Sequence, residues 1–128
     1  MIYIKELDVP ANTTIDNPCN VELGLVQGVI TEVNILFPIG CRGLVGVRIY
    51  DFEHIVWPSN PDHWLIADGE TIEWQDDYMM SGYPNVLRLE GYNLDDSYTH
   101  TVYFRFVALP LEKANILQKL LSLWKGES

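Results

Sequence analysis

At 128 residues the chain has the size of one domain, long enough to bury roughly two-thirds of the surface its unfolded form exposes. Apolar residues make up 48%, aromatics 12% and charged residues 20%, the balance of a folded globule and not of a disordered tail. Eight Lys and Arg against eighteen Asp and Glu give a formal charge of −10, which repels phosphate backbones and anionic lipid heads, so nucleic-acid and membrane partners are not expected unless Arg42, Arg48, Arg88 and Arg105 gather on one face.

No run approaches the ~18 apolar residues of a membrane span. The opening Met1-Ile-Tyr-Ile-Lys-Glu-Leu-Asp8 has no charged segment followed by an apolar one and reads as no signal peptide. Cys19 and Cys41 are too few for a disulfide scaffold and read as free, buried thiols.

Taken in order, residues 2–7 and 21–26 are weak strand candidates. Residues 29–37 alternate clearly, with Val29, Thr31, Val33, Ile35 and Phe37 on one face and Glu32 and Asn34 on the other. The glycine-rich Gly40-Cys-Arg-Gly-Leu-Val-Gly46 leads into a strand rather than a helix, so it reads as a tight connection and not a phosphate cradle. Val45, Val47 and Ile49 then alternate with Gly46 and Arg48, and residues 54–57 make a further short strand.

The stretch Trp57-Pro-Ser-Asn-Pro-Asp-His-Trp64, running on to Asp68-Gly69, is a rigid loop, since Pro presets φ and Asp-Gly admits positive φ. Its two tryptophans either cap the open end of a core or, with Asn60, Asp62 and His63, present a stacking surface to a sugar or a protein. Residues 71–75 read as a strand, Tyr78-Met-Met80 as a loop with an adaptable apolar patch, and residues 86–92 as a strand. Asn93-Leu-Asp-Asp-Ser97 is rich in oxygen but lacks the EF-hand spacing, so it reads as a hairpin turn. Residues 100–108 place Val102, Phe104 and Phe106 inward and Thr101, Tyr103 and Arg105 outward.

After Pro110 the period changes. Ile116, Leu117, Leu120, Leu121 and Trp124 recur at helical spacing, with Glu112 near the start and Lys125-Gly126 at the end, which predicts an amphipathic helix of about four turns. The stripe folds back on its own domain or docks on another chain.

About eight short strands and one helix predict an all-β fold, an antiparallel β-sandwich of jelly-roll or Greek-key type with a C-terminal amphipathic α-helix. The expected division is a sandwich over residues 1–109 and a helical tail over residues 110–128. His54, His63 and His100 stand in no metal-ligand frame, and no nucleophile elbow, P-loop or dinucleotide fingerprint occurs. The expectation is a protein without catalysis, metal or cofactor.

Four segments, Val9-Pro-Ala-Asn-Thr-Thr14, residues 37–49, Trp57-Pro-Ser-Asn-Pro61 with Trp64 and Asp68, and residues 92–106, resemble small proteins encoded among the structural genes of tailed bacteriophages. The resemblance covers residues 1–108 and not the helix. It implies a virion component assembled in the host cytoplasm, such as a capsid decoration protein or a head or tail accessory protein, which associates with itself or with a partner such as the major capsid protein. Arg42, Trp57 and Trp64 would then be contact residues beside the helical stripe, because Trp and Arg dominate binding hot spots. The alternative is a carbohydrate-binding sandwich that stacks a glycan on Trp57 and Trp64.

Overall fold

The computed structural model describes residues 1–80, 82 and 84–110, and within them the chain is all-β. Nine strands form: β1 (Ile2–Val9), β2 (Cys19–Leu25), β3 (Gly28–Phe37), β4 (Val45–Asp51), β5 (His54–Trp57), β6 (Leu65–Ile66), β7 (Glu70–Met80), β8 (Asn85–Asn93) and β9 (His100–Pro110). Sheet I has the order β1-β9-β3-β7 and sheet II the order β2-β8-β4-β5, with β6 sharing the free edge of β4; every pairing is antiparallel. The predicted helix, with Ile116, Leu117, Leu120, Leu121 and Trp124, lies outside the described residues.

The two sheets face each other across one core, in a sandwich-like arrangement. Sheet I contributes Val33, Ile35, Phe37, Val102, Phe104 and Phe106, and sheet II contributes Val45, Val47, Ile49, Leu87 and Leu89. These are the inward residues of a period-two pattern, and their burial drives the sheets together. Arg105 and Tyr103 point away from the core, as the alternation of β9 predicts.

Two expectations are corrected. Tyr78, Met79 and Met80 are not a loop but the last residues of β7, where Met80 is fully buried and Met79 exposed. Val29 does not share the inward face with Val33. The register shifts between Ile30 and Glu32, so that Thr31 is an extra residue against β9 and is faced by both Asp76 and Asp77 on β7. This bulge moves the alternation by one position, and Ile30 takes the core place in front of it.

Trp57 ties the free edges of the two sheets together. It ends β5 in sheet II, is 4% exposed, and meets Trp74 and Tyr78 of sheet I edge-on at 5.8 and 5.5 Å between ring centroids. Its indole N–H donates to Asp76 Oδ2 at 2.8 Å, while the Tyr78 hydroxyl donates back to Asp51 Oδ2 on β4 at 2.6 Å. Burial, and then the bond to Asp51, push the Tyr78 hydroxyl well above the usual tyrosine range. The Trp57-Pro58 peptide is cis, and the chain leaves the core at that point.

Replacing Trp57 by Ala removes a large buried ring and leaves a cavity between the sheets. The expected loss is about 3–5 kcal/mol, read as a lower midpoint in guanidinium unfolding.

Candidate functional site

The outward side chains of sheet II follow from its register. Glu90 lies across from Arg48, Arg88 lies across from both Glu22 and Tyr50, and Tyr92 lies across from Gly46. Arg88 sets its guanidinium 4.3 Å over the Tyr50 ring and its Nη2 3.7 Å from Glu90. Its Nε is buried with no hydrogen-bond partner among the described residues.

Arg48 holds the proline-rich loop onto this face. Its Nη2 donates to the carbonyl of Pro61 at 2.8 Å and its Nε to that of His63 at 3.2 Å, and its guanidinium lies 4.0 Å from the centroid of the Trp64 ring. Trp64 in turn meets Tyr92 edge-on at 4.8 Å. The Tyr92 ring lies flat across β4 because residue 46 is glycine: a Cβ there would stand 2.3 Å from Tyr92 Cε2. Burial raises the Tyr92 hydroxyl and the nearby Arg48 charge lowers it, with burial the stronger cause. The result is a strip in which Arg48, Arg88, Tyr50 and Trp64 are half-buried and Tyr92 is buried beneath them, a composition enriched in interface hot spots.

The residues singled out in the sequence are placed apart. Trp64 belongs to this strip. Trp57 does not: its ring is enclosed between the sheets, so it offers no face to a sugar or a protein, and the two tryptophans form no paired platform. Arg42 sits exposed in the turn after Cys41, at φ 54° between two positive-φ glycines. The four arginines do not gather: Arg48 and Arg88 lie outside sheet II, Arg105 outside sheet I and Arg42 in a loop. Sequence reading passed over Arg48, Tyr50, Arg88 and Tyr92 as a group. The alternation of residues 45–50 and 86–92 puts each pair on an outer face, but only strand pairing brings them together.

The oxygen-rich turn after β8 spends its polar groups internally. Asn93 is fully buried and satisfied, its Nδ2 donating to the carbonyls of Val9 and Tyr98 at 3.0 and 2.8 Å and its Oδ1 accepting from Asp95 N at 2.9 Å. Asp95 Oδ1 accepts from the backbone of Ser97, and its Oδ2 stands 2.9 Å from His100 Nε2. The Ser97 N–H first and His100 second hold the Asp95 carboxyl below the usual carboxylate range. Among the described residues no group of three or more His, Cys, Asp or Glu is arranged to hold a metal ion. Cys41 is buried and Cys19 half-buried, both free thiols whose titration burial raises.

No protein-family model and no curated protein matches the chain.

Gly46→Ala forces the Tyr92 ring and with it Trp64 out of place. It is expected to cost about 1–3 kcal/mol in thermal unfolding and to change the tryptophan fluorescence of the native protein. A depressed carboxylate stabilises above its unfolded value and loses that contribution as pH falls through its folded value. Acidification below about pH 4 is therefore expected to release the 93–99 turn, seen as faster amide exchange at Ser97. Asp95→Asn should abolish that pH dependence.

Proposed function

We propose that this chain is a non-enzymatic viral structural protein, a jelly-roll component present in many copies in a phage virion, which assembles through protein–protein contacts on the outer face of sheet II. The observation that carries the reading is the strip of Trp64, Arg48, Tyr92, Arg88 and Tyr50. The Arg88 guanidinium, stacked 4.3 Å over the Tyr50 ring and 3.7 Å from Glu90, supplies the kind of preset cation that anchors macromolecular contacts.

Two further observations agree, and the partner class is taken from the resemblance read in the sequence. The strand orders β1-β9-β3-β7 and β2-β8-β4-β5 are those that two interlocked Greek keys produce, an architecture common in capsid and lectin domains. The acidic turn at residues 93–97 uses its oxygens to hold its own shape. The sequence segments similar to tailed-phage structural proteins supply the class of partner, a second copy or the major capsid protein.

The test is the solution mass of the full chain by light scattering after size exclusion, together with co-sedimentation on capsids. A stable oligomer or capsid binding is expected. Arg88→Ala should weaken it by about 2 kcal/mol, near thirtyfold, while the unfolding midpoint changes little. A monomer that binds no particle sinks the proposal.

A further inference from the structure

The hairpin that joins β4 to β5 carries an aromatic ring where its backbone favours no side chain at all. Asp51 pairs with His54, so Phe52 and Glu53 are the two central residues of the turn. Phe52 takes φ 56°, while Glu53 takes no positive φ. In a two-residue hairpin loop that first position belongs to glycine, which has no Cβ to strain. Asn12, also at positive φ, is of a type that tolerates it, whereas a bulky ring there is an outlier.

Burial does not offset that strain, because Phe52 is 62% exposed. With Val86 it lines an open groove of about 320 Å³, which Glu22, Glu53 and Arg88 complete. Strain and exposed apolar surface in one side chain mark a group whose favourable contacts lie outside the molecule.

The lining of the groove states what fits it. Phe52 and Val86 accept an apolar ring, and Arg88 accepts a carboxylate. The Arg88 side chain keeps 35% exposure, and its Nη2 stands 3.7 Å from Glu90, longer than a hydrogen bond, so it can bind a second carboxylate. A ring beside a carboxylate is the chemistry of Phe52-Glu53 itself. The formal charge of −10 sets acid against acid wherever most faces of this chain meet a copy, but here Arg88 shares one groove with Glu22 and Glu53. A two-fold contact meets both demands at once, since each residue that touches its counterpart is touched in return.

We propose that the partner of the sheet II face is a second copy of this chain, docked about a two-fold axis. Phe52 of each molecule enters the other's groove against Val86, and Glu53 of each pairs with the other's Arg88. This rests on the reading of sheet II as an assembly surface, to whose strip Arg88 joins the groove through Tyr50.

Light scattering of the full chain and its variants tests it, with capsid co-sedimentation run beside. A dimer is expected. Glu53→Arg and Arg88→Glu should each weaken it about a hundredfold by setting like charges together. An equimolar mixture of the two folded variants should recover a heterodimer, because each contact then joins opposite charges again. Phe52→Gly should also raise the dissociation constant about a hundredfold. At dilutions where both are monomeric, that variant should unfold at an equal or higher guanidinium midpoint than the wild type, since glycine relieves the strain. A dimer that survives Phe52→Gly, or a mixture that stays monomeric, overturns the proposal. A lower monomer midpoint overturns it too, by making the ring part of its own fold. A monomeric chain that still sediments with capsids overturns this pairing alone and leaves the assembly reading standing.

Discussion

The structure depends on one ring set between two sheets. Each sheet is held by its own ladder, but their free edges, β5 of one and β7 of the other, share no backbone bond. Trp57 joins them through apolar contact with Trp74, Tyr78 and Phe106 and through a charged hydrogen bond to Asp76. Edge-to-face aromatic pairs contribute about 0.5–1.5 kcal/mol each beyond their area, so this cluster weighs heavily against a total stability that is itself small. The register shift at Thr31 falls opposite Asp76, the residue that accepts the indole N–H.

Polar groups divide into those used up by the fold and those left over, and the division locates the surfaces of interest. Asn93, Asp95 and His100 are bound into a turn that holds β8 to β9, and Asp68 caps the Gly40 N–H. Asn34 and Arg88 are the described residues with buried side-chain atoms left unpaired, one outside each sheet. Both lie on open sheet faces among apolar or aromatic neighbours, which is where flat macromolecular contacts form.

Much of the fold was legible because its signal is local. Val102, Phe104 and Phe106 alternate against Tyr103 and Arg105, as Val45, Val47 and Ile49 do against Gly46 and Arg48, and period-two burial follows from pleating alone. The bulge was not legible: Thr31 continues a regular alternation in sequence, and only its neighbours on β7 and β9 show it to be extra. The residue types of the proline-rich loop after Trp57 were also insufficient. Trp57 and Trp64 are the same chemistry seven positions apart, and their fates separate because one ends a strand facing the core while the other follows the loop over the outer face. The Arg48 to Arg88 strip joins residues far apart in the chain, so no window of sequence contains it.

The N-terminal amine of Met1 donates to the carbonyl of Ala108 at 2.7 Å, and the Ala108 N–H returns the bond, so the first residue is already a rung of sheet I. Both Met1 and Pro110 therefore stand at one end of the sandwich, while the 10–18, 38–44 and 94–99 loops crowd the other. A peptide fused ahead of Met1 keeps an amide N–H in the place of the amine and can preserve that rung. Cargo attached there would project from the end opposite those loops, giving any multi-copy assembly of this chain a built-in polarity for display.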